Sequence, residues 1–284
     1  MAKRRRGRRK RRINIAGLLI ILIIFLVSAG TLLRIVFREE PQEDYAYVVE
    51  EPPLPYHNYN WTNLSKDGSF FIYEDENYTS LKGIDVSVHN EEINWEKVSN
   101  YDIDFAMIRV GYRGYTEGKL YADAWFTHNI KGAKENGIKT GIYFFSQAIT
   151  QEEALEEAEF VIRNIKDYDI DYPVVFDMEP PETDDIGRTE SLTRNERTRI
   201  AITFLKRIED AGYQPMIYDS TLLYEEDYEL KYLEPYPFWV ADYHSYPQFN
   251  YRFDIWQYTN AAHLDGIEGN VDLNIQLVKK TTGN

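Results

Sequence analysis

From Leu81 onward the chain alternates short apolar runs with longer stretches whose apolar positions recur every three to four residues. The short runs, "KGIDVSV", "DFAMIRVGY", "KTGIYFFS", "YPVVFDME", "QPMIYDS", "FWVADYH", "FDIWQYT" and "VDLNIQ", have the length and β-branched or aromatic content of strands. Between them, "NWEKVSN", "ADAWFTHNIKGAKENG", "QEEALEEAEFVIRNIKD", "TRNERTRIAITFLKRIEDAG" and "TLLYEEDYELKYL" read as helices. In the third of these, Ala154, Leu155, Ala158, Val161, Ile162 and Ile165 form one stripe, Thr150 is placed to cap it, and Glu153 follows three residues later. Strands that alternate with helices predict parallel βαβ units. The last three strands are joined by connections too short for full helices. Together these features predict an α/β fold, a flattened and irregular TIM-like (β/α) barrel with a reduced second half. A doubly wound open sheet is the alternative, although no glycine-rich nucleotide fingerprint follows any strand.

The N-terminal part follows another pattern. Residues 3–12 are nearly all basic, and residues 15–33 carry no charge. Nineteen helical residues span roughly 28 Å, enough for a hydrocarbon core. The expectation is a basic cytoplasmic tail (1–12) followed by one uncleaved transmembrane helix (13–37). Basic residues stay inside, so the rest of the chain would lie outside the cell membrane as a single-pass protein. Residues 38–68 are acidic and rich in Pro, Tyr and Asn, without a helical period, and predict an extended stalk. "SFFIYEDENYTSL" predicts a hairpin around Asp75–Asn77 that opens a domain of residues 69–284.

Charge sharpens this division. The net charge is −15, but residues 1–36 hold ten Lys/Arg and no acid, leaving 22 basic against 47 acidic residues in the remainder. Such a domain repels nucleic acid. Cysteine is absent, so disulfide and thiol chemistry are excluded.

In a parallel barrel, functional groups collect where strands end at their C-terminal side. Those positions hold Asp85, Ser87, His89, Arg109, Tyr112, Tyr143, Ser146, Asp177, Glu179, Tyr218, Asp219, Trp239, Asp242, Tyr243, Trp256, Gln257, Tyr258 and Asp272. Side chains two apart on a strand face the same way, so Asp177 and Glu179 would both point into the barrel mouth while Met178 turns to the helices. Two close carboxylates do not ionise independently, and one is expected to hold its proton at neutral pH and serve as a general acid. Acids beside aromatic rings suit a sugar, whose C–H face stacks while its hydroxyls bond to carboxylates. Two blander readings compete: a solvated D-x-E, and a divalent-cation site. The His residues show no ligand spacing, and neither a metal nor a cofactor is expected. Trp95 and Trp125 sit in helical patterns and are expected to be packing residues.

With these residues in view, the segment from Leu81 to Gln276 resembles the glycoside hydrolase family 25 lysozymes, the N-acetylmuramidases. "GIDVSVHN", "FAMIRVGYR", "GIYFFS", "PVVFDMEP", "MIYDS", "FWVADY" and "DIWQYT" followed by "GIEGNVDLN" match the family's landmarks in order. The resemblance implies hydrolysis of the β-1,4 bond between N-acetylmuramic acid and N-acetylglucosamine in peptidoglycan. It implies Glu179 as general acid, Asp177 as its tuning partner, and Asp85 and Asp272 as the remaining active-site carboxylates. Tyr112, Tyr143, Tyr218, Trp239, Asp242, Trp256, Gln257 and Arg109 would contact substrate. Whether a carboxylate or the substrate's acetamide acts as nucleophile stays open. The chain departs from the family pattern at His89–Asn90–Glu91, where Gln-Gly commonly follows the His, and at Asp242, where Gln is frequent. A tethered enzyme of this kind suits local wall remodelling. The alternatives are a non-catalytic glycan-binding module on the same fold and a hydrolase of another N-acetylated glycan such as chitin.

Overall fold

The computed structural model describes residues 52–180 and 187–281. The basic tail, the expected membrane helix and stalk residues 38–51 lie outside the described residues. Among the described residues, no helix is long and apolar enough to cross a membrane.

A hairpin of β1 (Leu64–Asp67) and β2 (Phe70–Tyr73) precedes the barrel. Eight strands then close on themselves through hydrogen bonds: β3 (Tyr78–Val86), β4 (Phe105–Arg113), β6 (Lys139–Phe145), β7 (Val174–Asp177), β8 (Pro215–Ser220), β9 (Phe238–Ala241), β10 (Ile255–Ala262) and β11 (Val271–Lys279). The short β5 (Leu120–Ala122) pairs with the end of β4. Seven barrel strands run parallel, while β11 runs antiparallel to both its neighbours, β10 and β3. The helices are α1 (Trp95–Val98), α2 (Phe126–Glu135), α3 (Gln151–Ile165), α4 (Arg194–Asp210) and α5 (Thr221–Asp227). Thr150 caps α3 through the Glu153 amide, and Thr193 with Glu196 forms a reciprocal capping box on α4.

Alternation along the strands sorts the apolar residues into two cores. Phe105, Met107, Tyr172, Val175, Met216, Tyr218, Trp239, Ala241 and Ile255 fill the barrel. Their strand neighbours join a larger outer core under the helices. Gly83 is required for this filling: a Cβ there would lie 2.1 Å from the Phe105 ring.

The short connections among the last strands leave the outer faces of β10, β11 and β3 without a helix, and the N-terminal segment covers them. Tyr59, Trp61, Phe71 and Tyr73 pack with Phe253, Trp256 and Tyr258 in a continuous aromatic cluster. Tyr56 bridges to Tyr251, Tyr59 donates to the Phe253 carbonyl, and Leu54 is buried. The expected stalk therefore ends earlier than residue 68. The compact unit begins at Pro52, because burying these rings removes an apolar sheet face from water. The expected turn at Asp75–Asn77 is present, with Asp75 accepting from the Asn77 and Tyr78 amides. It leads directly into β3.

Candidate active site

Asp85 and Asp272 are direct cross-strand partners on β3 and β11. Because β11 is antiparallel, it is the start of this strand, not its end, that reaches the rim formed by the C-terminal ends of the others. Asp177 ends β7 in register with Phe145 on one side and Tyr218 on the other. Met178 turns into the outer core, and Glu179 follows at the rim, half-buried. The four carboxylates thus gather at one end of the barrel. Their floor is aromatic: Tyr218 and Trp239 have ring centroids 4.5 Å apart, and Tyr143 meets Trp239 edge-on at 6.2 Å.

Asp85 is held by two amides. Gln257 Nε2 and Asn274 Nδ2 both donate to its Oδ2, at 2.9 and 2.8 Å. Each amide is oriented in turn. Gln257 Oε1 accepts from the Tyr218 and Tyr243 hydroxyls at 3.0 and 2.7 Å, and Asn274 Oδ1 accepts from Trp239 Nε1 at 2.8 Å. Burial raises the Asp85 carboxyl to about 6, opposed by these two hydrogen bonds.

Asp177 is pushed well above the ordinary carboxylate range, first by burial, then by the charges of Glu179 and Asp219, with Arg109 opposing. Asp219, fully buried at the end of β8, is likewise raised by burial and by Glu179. Among the described residues, Asp177 Oδ1 and Asp219 Oδ2 are buried without a hydrogen-bond partner. These acids titrate as a group, and its buried members are the ones driven toward the protonated form.

The other expected contact residues divide. A β-bulge in β4 shifts the register between Arg109 and Gly111, which returns Tyr112 to the side of Arg109; the guanidinium lies 5.4 Å from the Tyr112 ring centroid. Arg109 Nε donates to Asp123 Oδ2 at 2.9 Å, and Tyr112 stacks on Tyr121. Tyr143, Tyr218, Trp239 and Gln257 belong to the floor and to the frame around Asp85. Trp239 is 1% exposed and acts there as an indole donor, not as an open platform.

Trp256 is not in the mouth. Ile255 and Gln257 face inward, so Trp256 between them faces outward, fully buried, stacked on Phe71 at 5.3 Å and donating to the Asp242 carbonyl. The Asp242 carboxylate is also committed elsewhere. It accepts from Thr221 Oγ1, from the His244 amide and ring, and from the Gln248 amide. Burial would raise this carboxyl, but those hydrogen bonds outweigh it and hold it below its usual range. Its role is to shape the loop after β9, from which half-exposed Tyr243 reaches Gln257. Asn274 is the site residue absent from the expected rim positions, whereas Asp219 and Tyr243 stand among those positions without an expected role. Asn274 was accessible from Asp272 by the same two-residue period that pairs Asp177 with Glu179. Among the described residues, no group of three His, Asp or Glu side chains is placed to hold a metal ion. A separate cleft of about 440 Å³ lies at the opposite end of the barrel, lined by Tyr56, Tyr59, Tyr78, Arg252, Gln276 and Lys279 among others.

A closed eight-stranded barrel with carboxylates gathered at one rim is an arrangement that glycoside cleavage uses, and similarity to known proteins gives the family. The signature of the glycosyl hydrolases family 25 matches residues 84–267, and the chain belongs to that family. It is 30% identical over 213 residues to the uncharacterized protein YegX of Escherichia coli K12, covering 73% of each chain. It is 24% identical over 194 residues to an autolytic lysozyme of Clostridium acetobutylicum, covering 68% of this chain and 55% of the relative. Among solved structures, the modular autolysin LytC of Streptococcus pneumoniae, in complex with a synthetic peptidoglycan ligand, aligns with a TM-score of 0.59 at 28% identity, over 69% of this chain and 46% of LytC. This chain therefore spans under half of that modular protein. A family 25 glycosyl hydrolase of Bacillus anthracis shares the fold, with a TM-score of 0.56 at 22% identity over 72% of this chain and 89% of the other.

Proposed function

We propose that the protein is a peptidoglycan hydrolase that cleaves the β-1,4 bond between N-acetylmuramic acid and N-acetylglucosamine. The observation that carries this reading is the convergence of Asp85, Asp177, Glu179 and Asp272 on one barrel mouth over an aromatic floor. The family membership, and a neighbour solved with a peptidoglycan ligand, support the substrate class.

In this reading Glu179 protonates the leaving oxygen. It is the member of the acid group that reaches the rim, and Asp177 and Asp219 behind it are driven to keep protons within the group. Asp85, fixed by Gln257 and Asn274, supplies a negative charge toward the oxocarbenium-like transition state and steadies the substrate, together with Asp272. Because Asp85 is raised to about 6, kcat/KM is expected to fall as the pH drops below that value.

The test is release of reducing ends from purified peptidoglycan by the full-length chain, with mass spectrometry of the products. New reducing muramic acid ends are expected, and Glu179→Gln should lower release by on the order of 10²-fold or more. New glucosamine ends would point to another glycosidic bond. Equal release by wild type and Glu179→Gln would remove Glu179 as the acid. The apolar run in residues 13–37 supports the further reading that the enzyme is tethered at the outer face of the cell membrane for local wall remodelling. Carbonate-washed membranes should then retain the full-length protein and release a chain lacking residues 1–37.

A further inference from the structure

Glu179 lies two residues beyond the end of β7. The last strand-side tie is the Ser146 amide donating to the Asp177 carbonyl at 2.7 Å. Gln147, fully buried in the connection between β6 and α3, donates from Nε2 to the Glu179 carbonyl at 2.9 Å. The backbone carbonyl of the same glutamine accepts from Arg188 Nη1 at 3.0 Å. One residue thus ties down Glu179 on one side and Arg188 on the other.

Arg188 is itself built in. Its Nη2 meets Glu153 Oε1 at 2.7 Å, while Glu153 Oε2 accepts the Ile149 amide at the start of α3. Arg188 and Arg113 pull the Glu153 carboxyl below its usual range, against the opposing effect of burial, so this anchor stays charged through neutral pH. The guanidinium lies against Gly118, where φ is +69° and a Cβ would sit 2.6 Å from Arg188 Cζ. Arg188 thus joins the segments around Gly118 and Gln147–Glu153, and Gln147 carries that frame to the Glu179 carbonyl.

We propose that Gln147 is a positioning residue for Glu179, locked by Arg188, and that it sets where the acid meets the leaving oxygen. The proposal rests on the reading of Glu179 as general acid. General acid catalysis tolerates little displacement, and a shift of about 1 Å costs on the order of 10²-fold in rate. A methionine at 147 preserves the volume and removes the donor.

The experiment is a double-mutant cycle on peptidoglycan, following kcat, KM and thermal midpoint for wild type, Gln147→Met, Glu179→Gln and the pair. Gln147→Met should lower kcat about 10- to 100-fold, with KM and the midpoint little changed. In the Glu179→Gln background the same substitution should have no further effect, because its only route to the rate runs through Glu179. An unchanged kcat in Gln147→Met, or an equal loss in both backgrounds, overturns the proposal and leaves the role of Glu179 standing. A Glu179→Gln variant as active as wild type removes the acid, and the proposal goes with it. If Gln147→Met does not fold, Arg188→Met, on a partly exposed side chain, carries the same cycle with a smaller expected loss.

Discussion

Asp85 shows how a single residue can cost stability in order to be useful. The residue is 6% exposed, and burial raises its carboxyl to about 6 from an unfolded value near 4. A raised acid is protonated in both states below the unfolded value and bears no penalty there. As the pH rises through the window from about 4 to about 6, the folded state comes to hold a poorly solvated charge, and stability is lost. Two pKa units correspond to roughly 3 kcal/mol. Asp85→Asn is therefore expected to raise stability at pH 7 by about 1–3 kcal/mol, with the gain shrinking toward zero at pH 4. Thermal melts of both proteins across that range check it; a gain independent of pH would refute the assignment. At this scale much of the mouth was legible. The D-x-E spacing, Asp85 and Gln257 follow from strand period and position, whereas Asp272, second in its strand, reaches the rim only because β11 runs antiparallel. Trp256 did not, since it is adjacent to Gln257 and so must face the other way, a parity that aromatic character obscured. Tyr112 needed the β4 bulge, which the sequence does not announce.

At the scale of elements, α3 is joined to the sheet by a charged pair as well as by its apolar stripe. Glu157 faces inward among that stripe, fully buried, accepting from Arg113 Nε at 2.7 Å and Ser146 Oγ at 2.6 Å. Burial pushes its carboxyl up to about 7, against Ser146 and Arg113. Removing one member of such a pair leaves the other uncompensated, which typically costs about 3–5 kcal/mol. Glu157→Ala should lower the thermal midpoint by on the order of 10 °C, read by calorimetry or circular dichroism. Apolar periodicity located α3 and its cap but could not foresee this glutamate, which occupies a position that amphipathic patterning reserves for apolar residues. The direction of β11 was equally hidden. Its residues fit a strand in either sense, and only the shortness of the β10–β11 connection, which no crossover helix could fill, carried the information.

For the whole molecule, the sequence read correctly as a barrel with a trimmed second half, and the trimming explains the N-terminal segment. Pro, Tyr and Asn without helical period suggested a free stalk as far as residue 68. Composition alone could not reveal that the aromatic rings of residues 56–61 have a sheet face to cover, because that face exists only once the barrel has closed. The missing helices and the aromatic N-terminal wrap are thus one feature, in which the chain supplies from its beginning the layer that its later half omits.

The reversed β11 has a consequence for handling. Its far end, residues 276–279, lines the same basal cleft as residues 56–59. The described domain is therefore entered and left on the side away from the carboxylates. A fluorophore, an affinity tag or a bead linkage at either end of this unit leaves the catalytic face turned outward, so immobilised enzyme can be presented to insoluble wall fragments with its mouth unobstructed.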